Sequence, residues 1–546
     1  MQTTSSEKAI KMSSLSGTDP GAGINIEKQE TTDLESLSPG TDFQGNPELQ
    51  QERTRDDDHR GGGSIGAHVT QSWVEHPKNR LHEFGFVAVL VSSQFMTQAG
   101  LAQTIAPLQI IGDSFGSTSP GQLSWFPAAY SLTVGTFILP AGRLGDLYGH
   151  KKLFVAGFFW WGLWSLIAGF SVYSGPILLY FCRAMQGIGS AFCLPNAIAI
   201  IGRSYRPGVR KQMMFSVFGA TAPSGFVVGA AFSSLLAEFV WWPWAFWINA
   251  IVCVMLAVLG IFLIPATPPP FLDETETTWD RTDALGGLTG VCGLVLFNFA
   301  WNQAPVVGWQ NPYTYVLLIV GLITLGIFGY IELKVTKFPL VPFRDMALDS
   351  GFVLACVALG WSGFSVWTYY FWQFLQKLRH LSPLHASAQF SPVIISGLIA
   401  AATTGFIIHR VPGSVLMGIS LLAFTVGLIL LTTAPVAQTY WAQTFVSLLI
   451  MPWGMDMSFP AANLLLSNKM PRDQQGVSAS LVNTIINYSI SVALGVAATI
   501  EEHVNDGGAD LLAGYQGAWY LGIGVSAFGI LVAVAYAFSE RRAAKN

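Results

Sequence analysis

The chain has 546 residues, of which 51% are hydrophobic and only 11% charged, with a formal net charge of −4. A water-soluble protein carries about 25% charged residues, so the composition excludes an ordinary soluble domain and points to a surface that mostly faces lipid. The net charge itself says little, because its distribution along the chain matters more than its sum.

Residues 1–83 hold 14 acidic and 8 basic residues among Ser, Thr, Gly and Gln, without an apolar run. Such a segment buries too little to offset its ordering entropy, so it is expected to be a disordered cytoplasmic tail. A basic stub followed by an apolar core is missing, so no cleavable signal peptide is expected and the first span serves as the targeting signal.

From Phe84 onward fourteen mostly apolar stretches are each long enough to cross roughly 30 Å of hydrocarbon. They run over 84–104, 122–142, 153–173, 176–201, 213–237, 244–265, 284–304, 313–334, 351–373, 388–408, 412–433, 440–463, 477–499 and 516–538. With a cytoplasmic amino terminus, the inside segments after the tail carry 17 Lys and Arg, and the outside loops carry two, Lys377 and Arg379. That asymmetry is a positive-inside signal and places both termini in the cytoplasm. The five cysteines, Cys182, Cys193, Cys253, Cys292 and Cys356, fall in apolar stretches and read as small hydrophobes, with neither a disulfide framework nor a metal site.

The turn after the second span reads Gly142-Arg143-Leu144-Gly145-Asp146-Leu147-Tyr148-Gly149-His150-Lys151-Lys152. Its glycines let two helices approach closely, and Asp146 can sit at a helix N-terminus or pair with a cation. Bonds made in one conformation and broken in another would form a gate; the plainer reading is a cytoplasmic hairpin with ordinary inside positives. The pattern resembles the signature loop of the major facilitator superfamily, which lies between helices 2 and 3 of that fold. The resemblance covers residues 84–540 and implies an all-α polytopic membrane protein with fourteen transmembrane helices.

The fourth span contains Arg183-Ala184-Met185-Gln186-Gly187-Ile188-Gly189-Ser190, similar to a family pattern linked to proton coupling. Gly187 and Gly189 form a small-residue packing face, and the alternative for Arg183 is snorkelling to the headgroups. In the fifth span Gly225 and Gly229 keep the leading glycines of the family's antiporter motif, but Ala230 stands in place of its proline and Ser233-Ser234 in place of its glycine pair. Near the outer end of the first span, Gln98 and Gln103 stand where fourteen-span drug exporters carry an aspartate and an asparagine. What remains there is a polar face of Gln94, Thr97, Gln98 and Thr104, expected to line a pore.

Asp456 is the carboxylate placed well inside a span; Glu238, Glu332 and Glu501 lie near ends. It is expected to take up and release the coupled proton in place of the missing first-span acid, the alternative being a structural aspartate held by backbone or by Arg183. Polar faces at helical spacing in the ninth span (Ser362, Ser365, Tyr369, Gln373, Gln376) and the thirteenth (Ser480, Asn483, Thr484, Asn487, Ser491) would complete a neutral, hydrogen-bonding cavity together with Gln186. No phosphate-binding Gly-x-x-x-x-Gly-Lys loop and no metal-ligand spacing occur, so no cofactor, metal or catalytic residue is expected. His409-Arg410-Val411-Pro412-Gly413 resembles a worn copy of the first gate. It supports two related six-helix halves, 84–265 and 341–540, joined by an inserted pair within 266–340 and followed by a short tail, 541–546.

Within the family the resemblance is nearest the fungal drug:proton antiporters and their aminotriazole-resistance and boron-exporter-like group, carried by Trp125-Phe126-Pro127-Ala128-Ala129-Tyr130 and Trp279-Asp280-Arg281-Thr282-Asp283. It implies export of a small toxic compound or metabolite by proton antiport. An uptake facilitator on the same scaffold is the alternative, and a transporter-like sensor a remote one. The expected partners are a small-molecule substrate, protons and the lipid bilayer, without nucleic acid. The expected protein is a monomer in the plasma membrane, the vacuolar membrane being the other location considered.

Overall fold

A computed structural model describes residues 79–117, 119–205, 209–265, 282–341, 343–344, 346, 348–408, 410–469 and 475–543. Residues 1–78 of the expected tail, the 266–281 loop, His409 and the basic residues Arg206 and Arg472 therefore lie outside the described residues. The described chain is helical and contains no strand. Sixteen α-helices are used below: α1 Arg80–Ile105, α2 Leu108–Ser114, α3 Pro120–Tyr148, α4 His150–Phe170, α5 Pro176–Ser204, α6 Val209–Phe239, α7 Pro243–Leu263 and α8 Ala284–Val307. They continue with α9 Pro312–Tyr330, α10 Leu348–Gln373, α11 Pro383–Phe390, α12 Pro392–Ile407, α13 Gly413–Thr432, α14 Gln443–Lys469, α15 Gln475–Val504 and α16 Leu511–Ala543.

Helices dominate because a chain crossing hydrocarbon must bond every backbone group internally. Thirteen segments among the described residues are long and apolar enough to cross a membrane. Helix α3, at 29 residues, has the length but stands outside that set; it buries Ser124, Ser131, Thr133 and Thr136 against neighbouring helices. The helix ends carry local signals. Asn79 caps α1 by accepting from the Leu81 amide at 3.1 Å, four residues inside the segment expected to be tail. Ser119 caps α3 ahead of Pro120. Gly149, at φ +101°, turns the chain from α3 into α4 in a conformation that a side chain would strain.

Close approach between helices is bought with glycine. In the first half, Gly225 and Gly229 of α6 sit against Phe95 and Ala99 of α1, Gly187 of α5 against Tyr130 of α3, and Gly189 of α5 against Trp161 of α4. In the second half, Gly454 of α14 faces Phe424 of α13 and Gly363 of α10 faces Ser526 of α16. The two halves meet where α3 runs along α15: Gly135 lies against the Tyr488 backbone, Gly142 against Ser480, and the Ser491 hydroxyl donates to the Ala128 carbonyl at 2.9 Å. They meet again where α6 packs on α11 and α12. Helices α8 and α9 differ in their packing. Helix α8 packs on both α3 and α15, with Gly121 against Pro305 and Gly495 against Asn302, whereas α9 leaves most of its apolar surface exposed.

Candidate functional site

A small cavity lies within the bundle, lined by Gln94, Thr97 and Gln98 of α1, Leu194 of α5, Gly219 and Ala222 of α6, Trp361 of α10, Met455, Asp456 and Phe459 of α14, and Asn483, Ile486 and Asn487 of α15. About 30 Å³ of it is open to the centre of a water molecule, room for only a few waters or one very small solute. Every lining group except Asp456 is uncharged. Oδ2 of Asp456 is buried without a hydrogen-bond partner, beside Gly397 of α12. The bond between the Trp361 indole N–H and the Ser458 hydroxyl, 3.1 Å, fixes the aromatic wall.

Of the residues expected in the cavity, Gln94, Gln98, Asn483 and Asn487 line it together with Asp456. Ser365, Tyr369 and Gln373 stand one to three turns beyond Trp361 on α10, toward the end of the bundle away from Asp146. There Ser365 donates back to Ser362, and Gln373 accepts a hydrogen bond from Gln109. Gln186 belongs to a different network.

That network surrounds Arg183, which is fully buried in the first half. Its guanidinium donates to the carbonyls of Phe126 at 3.1 Å and Gly100 at 2.6 Å and to Gln186 Oε1 at 2.8 Å, and it stacks over the Tyr130 ring at 4.5 Å. Gln186 in turn donates to the Ser165 hydroxyl, which also receives Asn249 at 2.9 Å. Arg183 thus ties α1, α3 and α5 together through neutral acceptors, reaching neither the headgroups nor Asp456. Ser165 and Asn249, isolated polar letters in apolar runs, close the network.

At one end of the bundle Oδ1 of Asp146 accepts from Arg203 of α5 at 2.9 Å and lies 3.2 Å from His150 Nε2. His150 Nδ1 meets Asn196 Oδ1 at 2.7 Å. Arg143 stands over the Phe338 ring at 6.0 Å, at the junction leading toward the second half. Lys151 donates to the carbonyls of Ile261 and Ile264, satisfying the C-terminus of α7, and Lys152 is exposed. The sequence reading missed Arg203 and Asn196. Arg203 was counted only as an inside positive, although its place in the last turn of α5 brings it to Asp146.

The opposite end is fastened by bonds between the halves. Gln109 donates to Gln373, Gln376 to the Ala106 carbonyl at 2.6 Å, the Leu384 amide to Glu238, and the Ser234 and Ser387 hydroxyls are 3.0 Å apart. The rings of Phe226 and Phe390 meet there at 5.4 Å.

A bundle of apolar helices about a small polar cavity, with the Asp146–Arg203 ion pair at one end and a set of hydrogen bonds at the other, is the architecture of a membrane transporter. Residues 88–496 match the Major Facilitator Superfamily, and the chain belongs to that family. It is 62% identical to the low affinity ammonium transporter of Saccharomyces cerevisiae, over 85% of this chain and 90% of that protein. It is 54% identical to the efflux pump terJ of Aspergillus terreus (86% and 90%) and 40% identical to the aminotriazole resistance protein of S. cerevisiae (83% and 84%). Among solved structures, peptide transporter POT in complex with sulfate aligns with a TM-score of 0.62 at 15% identity, covering 88% of this chain and 99% of that one; this likeness concerns the fold alone.

Proposed function

We propose that this protein exports a small toxic compound or metabolite by proton antiport through alternating access, as a monomer with fourteen membrane crossings and both termini in the cytoplasm of a fungal cell, at the plasma membrane. The observation that carries the reading is Asp456: it is the ionisable side chain lining the cavity, and it lies where the halves meet. A carboxylate there can carry a proton in one access state and surrender it in the other, with each proton gaining about 2.3 kcal/mol per 100 mV of membrane potential. The relatives named efflux pump and resistance protein support export. Asp146 with Arg203 and His150 would latch the cytoplasmic side, Arg143 standing beside it, and the seal at Gln109–Gln373 would close the outer side.

A second reading is favoured by one relative and by the size of the cavity. The 62% identical protein is named for ammonium, and a space this small, with a single carboxylate and neutral polar walls, suits passage of a small cation as well as it suits a compact toxicant. Purified protein in proteoliposomes separates the two. Substrate flux that follows an imposed pH gradient against the substrate's own gradient supports antiport; ammonium or methylammonium flux that only runs downhill, whatever the pH gradient, replaces it with a facilitator.

A further inference from the structure

A second carboxylate sits deep in the described structure, away from the cavity. Glu501, in the last turn of α15, is 6% exposed. It lies 14 residues beyond Asn487 on the same helix, about 21 Å further along. Its Oε2 accepts from the Tyr370 hydroxyl at 2.9 Å. The ring of Tyr370 is 5.0 Å from that of Tyr369 and 5.6 Å from that of Tyr515. The Tyr369 hydroxyl is buried with no hydrogen-bond partner. The titratable groups that face this point are Tyr369 and Tyr370 on α10, Tyr515 on α16, and Glu502 beside it on α15. The ion pairs made by Asp146 and by Glu83 lie elsewhere in the described structure and do not involve Glu501.

A buried carboxylate persists when it is matched by a cation or neutralised. Among the described residues no cation pairs with Glu501, and its hydrogen-bond donor is the neutral Tyr370 hydroxyl. The site also abuts the seal: one turn along α10 from Tyr370 come Gln373 and then Gln376, which bond to Gln109 and the Ala106 carbonyl of the first half. Parting of those bonds would open this end toward the tyrosines and the acid behind them.

We infer that Glu501 is a second proton-carrying side chain, distinct from Asp456, held behind the sealed end and loaded or emptied when that end opens. Its place in a transport cycle rests on the proton-coupled reading above; its proton occupancy does not. The test is infrared difference spectroscopy across a pH jump on the full-length protein in lipid, comparing wild type with Glu501→Gln, Tyr370→Phe and Glu502→Gln. The expected result is a pH-dependent carbonyl band of a protonated carboxyl group that is lost in Glu501→Gln, shifted in Tyr370→Phe and unchanged in Glu502→Gln. Identical spectra for wild type and a folded Glu501→Gln protein overturn the inference. If Glu501→Gln does not fold, an unshifted band in Tyr370→Phe, which keeps the acid, overturns it equally. Failure of the antiport reading registers elsewhere, as flux indifferent to a pH gradient while the Glu501 band persists.

Discussion

Asp456 and Gly397 face each other so closely that a Cβ on Gly397 would stand 2.5 Å from the Asp456 Oδ2. The bare backbone of α12 is what leaves room for the acid of α14. Asp456→Asn fixes the side chain in a neutral form that can neither take up nor release a proton. Flux driven by a pH gradient should fall at least tenfold, and the remaining exchange of substrate should no longer vary with pH. Preserved pH dependence in that variant would remove Asp456 from the coupling mechanism. Gly397→Ala leaves the acid in place but crowds it, at a cost of about 1–3 kcal/mol. That protein should keep a pH-dependent flux at lower thermal stability, measured by a melt in detergent.

The Asp146–Arg203 ion pair calls for a different measurement. Both side chains are partly exposed, 44% and 26%, so the pair is worth about 1 kcal/mol or less to stability. A bond made in one access state and absent from the other acts on the balance of states, and a shift of about 1.4 kcal/mol changes that balance roughly tenfold. Asp146→Asn and Arg203→Gln should each slow transport several-fold with melting temperatures nearly unchanged. The double variant should be no slower than Asp146→Asn alone, because that single change already removes the bond to Arg203 together with the contact to His150. Additive losses in the double variant would show that the two residues act separately.

Much of this architecture is legible in the sequence because lipid imposes one strong rule, long apolar stretches folded as helices. The span boundaries and the gate turn follow from apolar runs and from glycine spacing. Four cavity residues, Gln94, Gln98, Asn483 and Asn487, follow because a polar residue in such a run has to face protein or water. Depth along a helix is harder to read. Ser365, Tyr369 and Gln373 share a face with the cavity wall yet stand too far along α10 to reach it, since face is set by periodicity and depth by how the halves are seated. Partners distant in sequence are harder still. Arg203 meets Asp146 across 57 residues, and Gln109 meets Gln373 across 264, because helix packing alone brings them together.

Arg183 tests whether a buried charge can be held by neutral groups alone. Its three acceptors come from α1, α3 and its own helix. Removing the guanidinium leaves Gln186 Oε1 without that donor in a space closed to solvent, at about 1–3 kcal/mol for a buried group left unsatisfied, and takes a second hydrogen bond from the Gly100 and Phe126 carbonyls, which keep their helical ones. Arg183→Ala should therefore lower the melting temperature and yield of folded protein markedly. Arg183→Lys keeps the charge but cannot reach three acceptors as a planar fork does, so it should fold better than the alanine variant and still transport more slowly than wild type. An alanine variant as stable as wild type would mean that water replaces the guanidinium, and Arg183 would lose its role in tying the first half together.

The glycine contacts give a graded series within one protein. A Cβ on Gly187 would lie 2.1 Å from Thr133 Oγ1 and 2.4 Å from the Tyr130 carbonyl oxygen; on Gly225 it would lie 2.3 Å from the Phe95 carbonyl oxygen, and on Gly229 2.5 Å from the Ala99 Cα. These neighbours are largely backbone, which cannot step aside as a side-chain tip can, so helix separation has to increase. A Cβ on Gly405 would meet nothing within 4 Å, and alanine there gains the helix propensity that glycine lacks, about 1 kcal/mol. Alanine at Gly187, Gly225 and Gly229 should each lower the melting temperature, and alanine at Gly405 should leave it level or raise it. Gly225 and Gly229 lie between α1 and α6, both of which line the cavity, so their variants should also lose transport at temperatures where they remain folded. Equal stability across all four variants would mean that α1 and α6 already sit far enough apart to accept a side chain, and that the glycines do not set their spacing.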